Sequence, residues 1–208
     1  MARASLTPRR RRQLLQAAVT TIGLVPLAVL GFRAATGGFG ANPIEEITHT
    51  TGESGLRLLI LSLAVTPARR AFGWTWAAPL RRTLGLLAFL YVTLHGLTYV
   101  ALDQFFDWPL LVEDVLERRY ITAGFAGFLC LLPLALTSTR GMMRRLGRRW
   151  ISVHRLVYVA VVLGIVHYLW LVKADLAPPL AHAAVVALLL GYRVRHRFAE
   201  ESAAAART

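Results

Sequence analysis

Cysteine is almost absent from this chain, and that scarcity excludes several kinds of site. The single thiol, Cys130, lies inside an apolar run. One cysteine cannot form an intrachain disulfide, hold an iron–sulfur cluster or build a thiolate zinc site, so its expected role is that of a small buried side chain. The sequence also shows no glycine-rich phosphate loop, no serine nucleophile motif and no evident internal repeat.

Acidic residues are also scarce, and the few present avoid the apolar runs. The 208 residues include 11 Asp and Glu against 24 Lys and Arg, which gives a formal net charge of +13. Proton and ion pathways normally place carboxylates inside the membrane together with histidine. The lack of such carboxylates argues against a small histidine-dependent transporter, the alternative from another functional class.

Hydrophobic residues, in contrast, make up 56% of the chain. Apolar runs of about 18 to 24 residues recur, long enough to cross a hydrocarbon core of ~30 Å. Six helices are predicted, at 13–33, 54–68, 83–101, 120–138, 150–172 and 177–195. We therefore expect an all-α integral membrane protein, a six-helix transmembrane bundle. Its parts would be a basic N-terminus (1–12), the membrane domain (13–195) and a tail (196–208), with the first helix retained rather than cleaved as a signal peptide.

The charged residues alternate in sign from one connecting segment to the next. Eighteen of the 24 basic residues, from Arg3 to Arg207, lie before the first span, in two connecting loops and after the sixth span. Nine of the 11 acidic residues lie in the three intervening segments. The positive-inside rule then predicts that both termini are cytoplasmic. The positive charge is explained by orientation and lipid headgroups, and nucleic acid is not an expected partner.

Three histidines lie within the predicted helices and are the candidate functional residues. His95 belongs to the third span, and His154 and His167 belong to the fifth. Polar side chains at membrane depth usually face the bundle interior and serve a function. A zinc site needs about four clustered ligands, whereas haem needs only one or two axial imidazoles beside an apolar slot. The histidines therefore favour haem.

Depth along the helices selects which histidines can share an iron. At ~1.5 Å per residue, His95 and His167 both lie about 9–10 Å from the outer helix ends, whereas His154 is about 20 Å from His167. We therefore pair His95 with His167 and leave His154 without a histidine partner, with His182 as a rival ligand. Two axial imidazoles leave iron no open position, so such a haem relays single electrons and a partner performs the final chemistry.

Several stretches of this sequence match a known family. They are GGFGANPIEEITHTTG (37–52), LAVTPARR (63–70), RRTLGLLAFLYVTLH (81–95), LALTSTRGMMRRLGRRWISVHRLVY (134–158) and VHYLWLVK (166–173). In this order the chain resembles the MsrQ (YedZ) family, within the ferric-reductase-like transmembrane group, over most of residues 20–195. Members are haem-binding membrane subunits of a periplasmic protein-methionine-sulfoxide reductase.

The resemblance implies a function and a set of ligands. It implies b-type haem held by His95, His154 and His167, and electron transfer across the bacterial inner membrane to a periplasmic molybdopterin-containing reductase subunit. The donor it implies is the quinol pool, or FMN with a cytosolic flavin reductase. Catalysis would belong to the partner. A haem-containing ferric reductase component is the alternative within the same group.

The chain departs from the larger oxidases of this group at two points. It has no second histidine in the third span, and we expect no FAD and NADPH domain after the sixth. One haem is therefore expected, with a second left open through His154. His49 matches an outer-loop motif of the family, which suggests a docking surface. Five arginines near the basic face are candidates for a flavin phosphate or, alternatively, for topology charges: Arg81, Arg82, Arg148, Arg149 and Arg155.

Overall fold

The computed structural model describes residues 7–205; residues 1–6 and 206–208, with Arg3 and Arg207, lie outside the described residues. The described part contains helices, turns and loops but no β-strand, which confirms the all-α prediction. Its nine α-helices are α1 (Pro8–Thr36), α2 (Pro43–Phe72), α3 (Leu80–Thr98), α4 (Trp108–Glu117), α5 (Arg119–Leu136), α6 (Arg140–Leu146), α7 (Arg148–Val153), α8 (Leu156–Leu171) and α9 (Ala177–Ala205). A π-helical turn, Tyr99–Asp103, extends α3.

Five helical stretches are long and apolar enough to cross a membrane, judged by length and composition. They are Pro8–Thr36, Thr75–Asp103, Arg119–Leu136, Arg148–Leu171 and Ala177–Glu200. Many of their large apolar side chains point outward, among them Ile22, Phe32 and Leu188. An outward apolar surface is stable when lipid, rather than water, surrounds it.

The second predicted span, 54–68, lies within α2, which is not among those five stretches. Glu53 and Arg57 form an ion pair on its surface, whereas Leu59 and Leu63 on its other side are buried in the core. Of residues 55–63, only Arg57 and Leu61 are exposed, so this part of α2 lies centrally in the bundle. The count of six spans stays a prediction.

Helix α2 begins earlier than predicted and converts an expected loop into helix. The Asn42 side chain caps it by accepting a hydrogen bond from the Glu45 backbone N–H at 3.2 Å, and Pro43 occupies the first turn. Asparagine at the cap and proline at the first helical position are strong start signals. His49, expected in a loop, consequently lies on an exposed part of α2.

Two helix pairs make the most extensive contacts in the bundle, α2 with α3 and α5 with α8. Their facing side chains form the core, in which Tyr91, Leu63 and Val161 are fully buried. The Tyr91 hydroxyl donates to the Gly23 carbonyl at 2.7 Å and thereby ties α1 to α3. This core holds the helices that carry the candidate histidines.

The two ends of the bundle differ in charge. At the basic end, Arg70 of α2 pairs with Glu200 of α9 at 3.3 Å. At the acidic end, Arg33 of α1 pairs with Glu46 in the first turn of α2, so an acidic residue neutralises the arginine that lies there. The segregation agrees with the predicted alternation of charge. Which end faces the cytoplasm stays a prediction.

The fifth predicted span, 150–172, is not one continuous helix. Helix α7 ends at Val153 and α8 begins at Leu156, with His154 and Arg155 between them. The sixth span also differs, because α9 continues through the predicted boundary at 195 to Ala205. The apolar pattern gave no sign of either feature.

Aromatic side chains cluster at the two ends of α3. Phe72, Trp74 and Trp76 form one exposed cluster before the helix, with neighbouring ring centres 5.1 and 5.9 Å apart. Phe106 and Trp108 form another after it, with ring centres 6.3 Å apart and both rings exposed. Aromatic residues are enriched where a membrane protein meets the lipid–water boundary.

Candidate functional site

His95 of α3 and His167 of α8 face each other inside the bundle. Their ring centres are 6.0 Å apart and their planes are inclined at 83°. They come from different helix pairs, so packing of the whole bundle brings them together. The structure thus places side by side the two histidines that counting residues along the helices had paired.

Both rings are held by the same kind of hydrogen bond. The Nδ1 atom of His95 lies 3.0 Å from the Thr48 carbonyl oxygen of α2. The Nδ1 atom of His167 lies 2.7 Å from the Tyr120 carbonyl oxygen of α5. A carbonyl oxygen only accepts, so each Nδ1 carries the hydrogen and donates it. Each Nε2 is left as a lone-pair donor, the form in which neutral imidazole binds a metal.

A glycine lies against each of the two imidazoles. A Cβ placed on Gly52 would be 2.9 Å from His95 Nδ1, and one on Gly124 would be 2.7 Å from His167 Nδ1. Any larger residue at either position would therefore displace the ring. Sequence reasoning missed both glycines.

The pair fits two axial ligands of one haem iron. Imidazole nitrogens bind metal ions at about 2 Å, so two such nitrogens on one iron lie about 4 Å apart and their ring centres about 6 Å apart. The separation of 6.0 Å agrees with this value. Among residues 7–205, no three His, Cys, Asp or Glu side chains converge as a cage for a bare metal ion.

A buried acidic residue lies on the side of this site that is nearer the acidic end of the bundle. Asp114 of α4 accepts a hydrogen bond from the Tyr99 hydroxyl and forms an ion pair with Arg118 at 2.8 Å. Tyr99 lies one helical turn beyond His95, and Tyr120, whose carbonyl holds His167, follows Arg118 closely. This network fixes α4 beside the histidine pair at the acidic end of the bundle.

His154 lies in a different environment, in the basic half of the bundle. Its ring stacks on Trp150 with centres 3.8 Å apart, and its Nδ1 is 3.1 Å from the carbonyl of that same residue. It lines a cavity of about 200 Å³ together with Ser62, Arg81 and Arg82. Of the five candidate arginines, Arg81 and Arg82 therefore face this cavity.

The remaining histidines have local contacts. His182 bonds to the Pro178 carbonyl of its own helix at 2.7 Å, and its ring lies 6.1 Å from that of Tyr168. His196 packs against Tyr192, with ring centres 4.7 Å apart. The structure brings His95 to His167, and it places His182 against Tyr168 instead.

Comparison with known proteins defines the class first. The family model described as "Ferric reductase like transmembrane component" matches residues 51–165, a little over half of the chain. The match includes His95 and His154 and ends just before His167. The chain therefore belongs to the class of ferric-reductase-like transmembrane components.

Curated relatives narrow the class to one family. The protein-methionine-sulfoxide reductase heme-binding subunit MsrQ of Rhodospirillum rubrum is 54% identical over 185 residues, 88% of this chain and 89% of the relative. The proteins of the same name from Deinococcus radiodurans (52% identical, 80% of this chain and 83% of the relative) and Xanthomonas axonopodis pv. citri (42% identical, 91% and 90%) also match. The chain belongs to the MsrQ family.

Proposed function

We propose that this chain is the haem-binding membrane subunit of a methionine-sulfoxide reductase system and carries electrons across the membrane. The observation that carries the proposal is the facing pair of His95 and His167, with both Nδ1 atoms engaged by carbonyls. The names of its relatives describe a heme-binding subunit, and the geometry suits one b-type haem between these rings.

In this proposal the protein residues position and insulate the cofactor. A bound haem would supply reversible one-electron reduction of its iron. His95 and His167 would hold the iron through their Nε2 atoms. The surrounding core of α2, α3, α5 and α8 excludes water, and the Nδ1 hydrogen bonds keep both rings in the ligating tautomer.

The direction of transfer follows from the charge of the two ends. The basic end would face the cytoplasm of a bacterial inner membrane, with both termini there, and the acidic end would face the periplasm. The histidine pair lies toward the acidic end, beside α4 and Asp114. Electrons would leave from that side to a periplasmic molybdopterin-containing reductase subunit, where methionine sulfoxide is reduced.

The cavity beside His154 would bind the group that delivers electrons to the protein. Two arginines, an imidazole and an indole line it, a combination that suits an anionic aromatic cofactor because cations pair with phosphate or carboxylate groups. FMN, a quinol headgroup or a second haem are the three candidates. A cytosolic flavin reductase or the quinol pool would then reduce the protein from this end.

Reconstitution in sealed vesicles tests the proposal. The purified protein should be red, with one or two haems per chain by pyridine haemochrome titration. A reductant supplied only to the side of the vesicle membrane that carries the basic end should reduce the haem. An electron acceptor on the side that carries the acidic end should then reoxidise it. A colourless preparation from haem-replete cells would contradict the proposal. A red protein that reduces ferric chelates on the basic side alone would favour the ferric reductase alternative.

A further inference from the structure

An internal repeat of 72 residues relates the two halves of the histidine site. Residue numbers differ by 72 between His95 and His167, between Gly52 and Gly124, and between Thr48 and Tyr120. Each histidine hydrogen-bonds to a carbonyl 47 residues before it. The repeat also relates the two most extensively packed helix pairs, α2 with α3 and α5 with α8. We expected no evident repeat from the sequence alone, and the constant offset is seen from the contacts of the packed helices.

The glycine and the carbonyl form one unit in each half. In an α-helix, the carbonyl of residue i accepts the N–H of residue i+4, so the Thr48 carbonyl lies one turn below Gly52. Side chains lean toward the helix N-terminus and cover the preceding turn. A side chain at Gly52 would therefore cover the carbonyl that His95 uses. The Thr51 hydroxyl also approaches that oxygen, at 3.1 Å, and glycine at position 52 leaves the oxygen accessible to His95 of the neighbouring helix as well.

We infer that Gly52 and Gly124 are matched positioning residues that set the orientation of the two axial imidazoles. Each opens one backbone carbonyl to one Nδ1–H and thereby turns the corresponding Nε2 toward the shared position. This inference rests on the proposed haem site. It adds that the angle of 83° between the rings is set by the glycine positions.

Close helix packing is the competing explanation, because small residues let membrane helices approach each other. The neighbouring glycines separate the two explanations. A Cβ on Gly55 would lie 2.9 Å from Val92 Cγ2, a packing clash without a histidine. At Gly52 and Gly124, by contrast, the three nearest atoms all belong to an imidazole ring. At these two positions the glycine therefore contacts the histidine ring itself, and not the side chains that pack the helices together.

Electron paramagnetic resonance of the oxidised protein tests the inference, since the largest g value of low-spin ferric haem depends on the angle between its axial imidazole planes. We expect G52A and G124A each to lose the wild-type low-spin signal and to show a shifted or high-spin signal. G96A lies next to His95, and its Cβ would meet nothing within 4 Å. G127A lies on the same helix as Gly124, and its nearest contact would be an ordinary 3.5 Å. Both should keep the wild-type signal.

G55A serves as the control for packing damage. It should lower thermal stability without shifting the g values of the haem that remains. Unchanged g values in both G52A and G124A would overturn the inference, as would an equal shift in G55A.

Nitrogen-15 NMR of histidine-labelled protein provides a readout that does not depend on haem. Wild-type His95 and His167 should show protonated Nδ1, and G52A should change the signal of His95 alone. If the wild type binds no haem, the proposed function fails, but this NMR result still decides whether the glycines orient the rings. Unchanged histidine signals in G52A and G124A would refute the inference on their own.

Discussion

The histidine pair near the acidic end, here called the outer pair, and His154 near the basic end, here called the inner histidine, differ in what holds them. His95 and His167 are fixed by carbonyls of other helices, 47 residues away in sequence, and each ring faces its partner. His154 bonds to the Trp150 carbonyl of the preceding helix, α7, and its ring stacks on that same residue. The outer site therefore depends on the whole bundle, whereas the inner histidine depends on local structure. Preorganisation of this kind is expected where two ligands must meet one iron.

The largest effect should come from removing either member of the outer pair. H95A or H167A removes one of the two proposed axial ligands and leaves a single imidazole at the site. Since even second-shell partners change metal affinity by about 10- to 100-fold, low-spin haem should fall by about tenfold or more. Pyridine haemochrome titration and paramagnetic resonance measure this loss. If both variants kept as much low-spin haem as the wild type, the two histidines would not be the ligands and the contrast between the two regions would be lost.

H154A should separate the two regions. The outer pair has no contact with His154, so its low-spin signal should keep the wild-type g values. Any haem or flavin that belongs to the cavity should be lost, which titration of total haem and total flavin per chain would show. H182A is the matched control and should change neither. Loss of the outer signal in H154A would mean that the two regions are coupled.

D114A tests whether the outer region is fixed by tertiary contacts. The change leaves the Tyr99 hydroxyl without its acceptor and Arg118 without its buried partner. A buried group left unpaired costs about 1–3 kcal/mol, so the free energy of unfolding should fall by about that amount. Thermal unfolding in detergent measures it, with E113A on the exposed side of α4 as control. Equal stability of the two variants would argue against the network.

The smallest effect should come from W150F in the inner region. The indole Nε1 donates to the Thr137 carbonyl at 3.1 Å, and phenylalanine removes that bond while keeping an aromatic surface for His154. A loss of about 1 kcal/mol in stability is expected, again by thermal unfolding. The outer haem spectrum should not move. A shift in that spectrum would show that local structure around His154 reaches the outer pair.

The outer pair was predictable because helix rise is constant. Counting residues from the helix ends placed His95 and His167 at one depth, and the structure brings them together. The interruption at His154 and Arg155 was not predictable, since the apolar run continues through it without a proline or glycine. Whether His154 binds a cofactor stays a prediction.

Other features left signals in the sequence that were not used. The early start of α2 is encoded by Asn42, Pro43 and Glu45, a cap, a first-turn proline and an acidic first turn. The repeat is encoded by two Gly-x-x-Gly segments, at 52–55 and 124–127, each 43 residues before its histidine when counted from the first glycine. From sequence alone, a glycine inside a helix indicates only a lower helix propensity. The packed structure was needed to show which atoms lie opposite each glycine.

The two aromatic clusters around α3 allow the depth of the histidines in the membrane to be estimated. The preference of aromatic residues for the lipid–water boundary would place one boundary near Trp74 and Trp76 and the other near Phe106 and Trp108. Leu80 to Asp103 spans about 36 Å at the α-helical rise, close to the thickness of a hydrocarbon core plus its margins. His95 then lies about 12 Å below the acidic boundary. An acceptor resting on that surface would need no entry into the membrane to approach the outer pair.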